Sequence, residues 1–141
     1  MTKVGDWQVA CQYFLGGEAV EATGQEKVEA LGAYWTNGQF CCDLMGKEIK
    51  GRATSGYDPI KGKYISTWQD SVTPFFYYFE GELDEEGRLV MEGQNYDPFS
   101  KALTVYRSIE TFAENERSLQ LFIAPADTDP IQVLEYRYTR I

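Results

Sequence analysis

Short segments of alternating polar and apolar residues run along almost the whole chain, and turn residues separate them. Clear examples are residues 6–15, 64–71, 88–96, 102–112 and 118–124. A period of two is typical of a β-strand with one buried face. Because Gly, Pro and Asp clusters interrupt the segments at nearly regular spacing, the sequence predicts an all-β sandwich or barrel of about eight to ten strands.

One segment, residues 21–31, needs a choice between helix and strand. Residues 21–31 are rich in Glu, Gln, Lys and Ala, which favour a helix, yet apolar residues alternate at Val20, Ala22, Val28 and Ala30. We predict a strand there on the basis of the alternation. The aromatic run 75–83 is also predicted to be a strand, and residues 113–117 are predicted to be a turn.

Tyr-Asp-Pro occurs at 57–59 and again at 96–98, and we interpret both as turns in which Asp accepts a backbone hydrogen bond.

Length and charge limit the class of protein. The 141 residues, 43% of them hydrophobic, suit one domain spanning 1–141 with a sizeable core. No apolar run approaches the roughly 18 residues of a membrane span, and the first residues lack the apolar region of a signal peptide. We therefore expect a cytoplasmic protein. The net charge of -9 argues against nucleic acid and membrane surfaces as partners.

The chain has no histidine, which removes several kinds of chemistry. A Ser-His-Asp triad, a Cys-His pair, His-ligated zinc and His-ligated haem are all excluded, so we expect neither a metal nor a cofactor. Cys11, Cys41 and Cys42 form no CxxC pair. Adjacent residues on a strand point to opposite faces, so we interpret all three cysteines as small apolar fillers in a reducing compartment.

The strand at 64–71 raises the main question about function. Tyr64, Ser66, Trp68 and Asp70 share one face of this strand, and its aromatic residues favour an interior position. Asp70 then either points into an aromatic interior or caps the end of a hairpin, since a turn follows it at once.

A second charged residue could accompany Asp70. Arg107 shares a face with Val105 and Ile109, so we predict that it lies inside the fold or under a loop. A buried charge is costly without a partner, and Asp70 could provide one. The alternative partners for Arg107 are Glu80, Glu92, Glu110 and Glu135.

Residues near the two ends of the chain resemble the calycin superfamily, which contains lipocalins and fatty-acid-binding proteins. The Gly5-Asp6-Trp7 opening and the late Tyr136-Arg137-Tyr138-Thr139-Arg140 carry this resemblance. It implies that an arginine of the last strand packs over Trp7 and closes one end of a barrel. By position Arg140 is the first candidate and Arg137 the second. Such a pair stacks a cation on an indole while the guanidinium bonds backbone carbonyl groups.

A more specific resemblance covers nearly the whole chain. Met45-Gly46, Gly56-Tyr57-Asp58-Pro59, Tyr64-x-x-x-Trp68-x-Asp70-Ser71, Glu80-Gly81, Asp97-Pro98 and Tyr138-Thr139-Arg140 carry it. In order and spacing these residues resemble a mainly bacterial family, domain of unknown function 1579, which is thought to be lipocalin-like. The resemblance implies a closed antiparallel β-barrel of the calycin type and brings no established activity. The family's long acidic and proline-rich first hairpin is replaced here by FLGGEAV.

Three functions are compatible with the sequence, and we favour the first. It is the binding of a small hydrophobic or amphiphilic ligand inside the barrel, where an interior Arg would suit a carboxylate or phosphate group. The expected ligand-binding residues are Tyr64, Trp68, Asp70, Tyr77, Phe79 and Arg107. The second is a metal-free acid/base enzyme of the isomerase or cyclase type that uses Asp70 or Glu80. The third is a structural module that forms a homodimer through an exposed aromatic patch.

Overall fold

Ten strands form one closed sheet in the computed structural model, which describes residues 3–141. The strands are β1 (Gly5–Leu15), β2 (Glu18–Leu31), β3 (Trp35–Leu44), β4 (Lys47–Asp58), β5 (Lys63–Asp70), β6 (Tyr77–Leu83), β7 (Leu89–Asp97), β8 (Ala102–Phe112), β9 (Glu116–Ile123) and β10 (Ile131–Arg140). Consecutive strands pair antiparallel, and β1 also pairs with β10, so the sheet closes into a barrel. The prediction of a closed antiparallel all-β barrel is confirmed.

The barrel has two distinct ends. The terminal end contains the start of β1, the end of β10 and the connections at 32–34, 59–62, 84–88 and 113–115. The loop end contains the connections at 16–17, 45–46, 71–76, 98–101 and 124–130. The two longest connections are therefore both at the loop end. Residues 3–141 include no helix that is long and apolar enough to cross a membrane.

The predicted strand at 21–31 is confirmed, but two other strand boundaries were wrong. β2 pairs with both β1 and β3 along its length, and these pairings override the local preference for helix. β6 begins at Tyr77 rather than at residue 75, because the pairing of β5 with β6 starts where Trp68 faces Tyr77, and Pro74 has no N–H for a ladder. Arg117, predicted to lie in a turn, belongs to β9 and faces Tyr138 of β10.

Both Tyr-Asp-Pro segments form the predicted turns. The Oδ1 atom of Asp58 accepts the backbone N–H of the residue two positions later at 2.9 Å, and that of Asp97 does the same at 3.0 Å. Each turn closes on a residue with positive φ, Gly62 at 68° and Lys101 at 58°. The backbone N–H of these two residues bonds the carbonyl of the respective aspartate at 2.8 and 2.7 Å. The repeated segment is therefore explained by turn chemistry.

Trp7 and Arg140 form a stack at the terminal end. The indole is fully buried, and its Nε1 donates to the Lys3 carbonyl at 2.8 Å. The Cζ atom of Arg140 lies 4.2 Å from the centre of the indole ring. Its Nη1 donates to the Val4 carbonyl at 2.9 Å, and its Nε to the Glu114 carbonyl at 3.3 Å. One guanidinium thus links the N-terminal segment, the β8–β9 turn and the last strand.

Arg137, the second candidate for this stack, has a different position. It alternates with the buried Tyr136 and Tyr138, so its side chain lies on the outer face and is 75% exposed. Its Nε donates to Glu135 at 3.1 Å. The alternation of side chains along β10 therefore excludes Arg137 from the stack with Trp7.

The pairing of β6 with β7 covers only part of β6. The ladder runs from Glu80 facing Glu92 to Leu83 facing Leu89. Towards the loop end, the buried side chain of Asn95 takes the place of the ladder: it accepts from the Tyr78 backbone N–H at 2.9 Å and donates to the Tyr78 carbonyl at 3.2 Å. The Asn95 amide group therefore bridges the loop-end half of β6 to β7 where the ladder is missing.

Candidate functional site: the barrel interior

A cavity of about 280 Å³ lies inside the barrel. This is the space of about nine water molecules at roughly 30 Å³ each. All ten strands contribute to its wall, which is mainly apolar and includes Val28, Ile49, Trp68, Tyr77, Phe79, Met91, Leu119, Leu121 and Leu134. Val72 of the β5–β6 connection also lines the cavity while being 42% exposed, so the cavity approaches the surface at the loop end.

Four of the six predicted ligand-binding residues line this cavity: Trp68, Asp70, Tyr77 and Phe79. Tyr64 lies on the same inward face of β5, nearer the terminal end, where its ring centre is 4.9 Å from that of Tyr57. It packs against the buried cluster that contains Phe79. The shared inward face that was predicted for β5 is therefore present.

Asp70 has two roles that the sequence offered as alternatives. Its Oδ2 accepts the indole N–H of Trp68 at 2.9 Å, inside the cavity wall. Its Oδ1 accepts the backbone N–H groups of Val72 at 3.0 Å and Thr73 at 3.1 Å, which orders the turn after β5. The carboxylate shares a face with Trp68 because it fixes both the indole and the turn. These three partners occupy both of its oxygens, and none of them is Arg107.

The prediction that Arg107 lies in the interior was wrong. On β8 the buried residues are Tyr106, Ser108 and Glu110, so Arg107 points outwards. Its Nε donates to Glu92 of β7 at 3.1 Å on the outer face of the barrel. Val105 and Ile109, which suggested an interior position, cover the outside of the sheet instead.

Arg117 is the buried arginine of the barrel, and the sequence analysis missed it. Its Nη2 bonds Glu26, and its Nη1 lies 3.5 Å from Glu110. Glu110 also accepts from Lys3 Nζ at 3.2 Å. All four side chains line the cavity towards the terminal end. We call Lys3, Glu26, Glu110 and Arg117 the buried charge cluster.

Two aromatic rings cover the guanidinium of Arg117. Its Cζ lies 3.6 Å from the ring centre of Tyr138 and 4.8 Å from that of Trp7. Cation–π contacts of this kind stabilise a guanidinium that has lost its water. Gly38 makes room on the other side of the cluster, because a Cβ atom there would lie 2.8 Å from Glu26 Oε2.

Two buried polar atoms of the cavity wall have no hydrogen-bond partner in the described chain. They are Nε of Arg117 and Oγ of Ser108. A buried donor without a partner is costly, and such atoms in a native fold call for an explanation. A bound molecule in the cavity is one such explanation.

Several tyrosine phenols also line the cavity, and the thiol of Cys42 lies just behind one of them. The hydroxyls of Tyr13 and Tyr136 are 2.6 Å apart, and Cys42 Sγ lies 3.6 Å from the former. Burial raises the pKa of both phenols, and burial also raises the pKa of Tyr138 and of the Cys42 thiol. These groups can exchange hydrogen bonds with a ligand without adding charge to the cavity.

Glu80, considered above as a general acid or base, lies away from the cavity. It accepts from Lys61 Nζ at 3.1 Å and from the Tyr78 hydroxyl at 3.1 Å. These bonds lower the pKa of Glu80, which is the opposite of what a carboxyl group needs to act as an acid near neutral pH. Residues 3–141 also contain no group of three Cys, Asp or Glu side chains that could hold a metal ion.

The fold and the site define a class: a closed ten-stranded antiparallel barrel with a mainly apolar cavity and a buried charge cluster at one end. The chain belongs to the family described as protein of unknown function (DUF1579), which matches residues 1–140. No curated protein matches the chain.

Proposed function

We propose that the barrel binds a small, mainly apolar molecule in its interior. The observation that carries this proposal is the cavity of about 280 Å³, whose wall is largely aromatic and aliphatic but contains two unpartnered polar atoms. A concave, apolar site with a few polar groups is the usual form of a small-ligand site. A core that served stability alone would be expected to close such a space, because interiors pack densely.

Two further features support the proposal. The stack of Trp7 and Arg140 is similar to the closed end of calycin barrels, and the Val72 side of the cavity lies at the opposite, loop end. A ligand would then enter at the loop end between β5 and β6. The free thiols of Cys11, Cys41 and Cys42 are compatible with binding in the cytoplasm.

A titration with N-phenyl-1-naphthylamine tests this function. The probe is uncharged, and its fluorescence rises in apolar surroundings. We expect saturable binding of one probe per chain. Ala53 of β4 is the cross-strand neighbour of Trp68 on β5, and both side chains line the cavity. Ala53→Met should therefore fill the space and weaken probe binding at least about tenfold.

Arg52→Met is the matched control, because Arg52 is the exposed neighbour of Ala53 on the outer face of β4. It introduces the same side chain outside the barrel and should leave probe affinity unchanged. Circular dichroism and the midpoint of thermal unfolding establish that both variants are folded. Equal probe binding by folded Ala53→Met and wild type would contradict the proposal.

A further inference from the structure

The charged residues of the cavity wall leave no excess of positive charge for an anion. The wall contains five such side chains: Lys3, Glu26, Asp70, Glu110 and Arg117. Their formal charges give two positive and three negative groups, a net charge of -1. A carboxylate placed among them would raise the buried negative charge further, and an uncompensated buried charge is costly.

Arg117 has little capacity left to bind a ligand anion. Its two terminal nitrogens are engaged by Glu26 and Glu110, and the rings of Tyr138 and Trp7 pack against its guanidinium group. A bidentate bond to a carboxylate or phosphate needs two free N–H groups side by side. Of its three nitrogen atoms, Nε alone has neither a hydrogen-bond nor an ion-pair partner. One free N–H suits one acceptor oxygen.

The carboxylates of the wall are also occupied, which argues against a cationic ligand. Asp70 accepts from Trp68, Val72 and Thr73, while Lys3 and Arg117 neutralise Glu110 and Glu26. An ammonium group would have to displace one of these bonds. The unpartnered groups are instead the N–H of Arg117 and the hydroxyl of Ser108, which can both donate.

We infer that the ligand is uncharged: a small apolar molecule with a hydroxyl or carbonyl oxygen that accepts hydrogen bonds from Arg117 Nε or Ser108 Oγ. This inference rests on the proposed function and makes it more specific. It replaces the expectation that an interior arginine selects a carboxylate or phosphate, because Arg107 lies outside the barrel and Arg117 is already paired. The buried charge cluster has no net charge by itself. It forms a polar end of the cavity where an ionic group of a ligand would have no partner of opposite charge.

Three ligands that differ only in their polar group test the inference. Decan-1-ol, decanoate and decan-1-amine are compared by their ability to displace N-phenyl-1-naphthylamine from the wild-type protein at pH 7.5. We expect the alcohol to bind at least about tenfold more tightly than either ion, since a buried unpaired charge is costly. Equal or tighter binding of decanoate or decan-1-amine would overturn the inference while leaving the proposed function intact. Failure of the probe itself to bind would instead count against the proposed function.

Glu26→Gln gives the sharpest comparison, because it removes one negative charge beside Arg117 and keeps the shape of the side chain. We expect the ratio of decanoate affinity to decan-1-ol affinity to rise at least about tenfold, since the ligand carboxylate then restores the neutrality of the cluster. Residual binding of decanoate to the wild type should fall about tenfold per pH unit above pH 7, because only the protonated acid enters. The variant should lose this dependence.

Glu29→Gln is the matched control. Glu29 lies on the same strand, its side chain is 60% exposed, and it pairs with Lys27 at 3.3 Å on the outer face. The substitution changes the net charge of the protein by the same amount without touching the cavity. If Glu29→Gln raised decanoate affinity as much as Glu26→Gln, the effect would come from overall charge and the inference would be wrong.

Discussion

Arg117→Met is expected to lower the free energy of unfolding by about 3–5 kcal/mol, the usual cost of leaving buried partners uncompensated. The side chains of Glu26 and Glu110 are nearly as buried as Arg117 itself, so they would lose their shared cation without gaining water. Methionine preserves much of the side-chain volume. The loss of stability therefore reflects the missing charge rather than a newly created cavity. Urea unfolding followed by far-ultraviolet circular dichroism measures the effect.

Arg107→Met is the control for this prediction. Arg107 also pairs with a glutamate, but on the outer face of the barrel, where ion pairs contribute about 0–1 kcal/mol. A second variant adds Glu26→Gln to Arg117→Met, and it should recover part of the lost stability because Glu110 keeps its pair with Lys3 and no carboxylate of the cluster is left without a cation. If Arg117→Met lowered the free energy of unfolding no more than Arg107→Met does, the buried charge cluster would contribute no more to stability than the exposed ion pair, and the prediction would be wrong.

Alkaline pH is expected to destabilise the protein strongly from pH 9 upwards. Burial and the neighbouring Cys42 thiol raise the pKa of Cys11 from 9.0 to about 12, and burial raises the pKa of Tyr136 and Tyr138 well above 10.0. Between the unfolded and folded pKa values the unfolded chain has lost these protons while the folded protein keeps them, so stability falls as pH rises. Each such group contributes about 1.4 kcal/mol per pH unit. The three together should remove roughly 5 kcal/mol by pH 11.

Cys11→Ala separates the contribution of the thiol from that of the phenols. The variant should lose about 3 kcal/mol less than the wild type between pH 9 and pH 11, because alanine has no proton to release. Cys41→Ala is the matched control, since Cys41 is exposed on the outer face and its thiol meets water in both the folded and the unfolded state. Urea midpoints measured at several pH values give the comparison. Identical pH profiles for Cys11→Ala and wild type would contradict the assignment.

The strand pattern could be predicted from sequence because alternation and turn chemistry are both local. Asp58 and Asp97 show this well: each accepts the backbone N–H two residues later, as the Asp-Pro pair predicts. Met45 and Gly46 of the family pattern also form a two-residue hairpin with positive φ at both positions, 54° and 83°. Asp43 supports it by accepting the Gly46 N–H at 2.9 Å. Several residues that carry the family resemblance therefore shape turns rather than the cavity.

The position of charged residues could not be predicted from the same rules. β8 has apolar residues on both faces, so alternation alone did not decide whether Arg107 or its neighbours point inwards. Arg117 follows three polar residues and resembled part of a turn, although it alternates with Leu119 and Leu121 on the apolar face of β9. The pairing of Arg117 with Glu26, 91 positions away in the chain, depends on barrel closure. A single sequence holds no local signal for such a contact.

The most direct test of ligand binding inside the barrel is an NMR measurement on methionine methyl groups labelled with ¹³C. Met91 is buried and lines the cavity, whereas Met45 is 82% exposed at the tip of the β3–β4 hairpin. With N-phenyl-1-naphthylamine bound, we expect nuclear Overhauser effects between the aromatic protons of the probe and the Met91 methyl group, and none to Met45. Contacts to Met45 alone, with the Met91 signal unchanged at saturation, would place the probe on the surface and contradict the account.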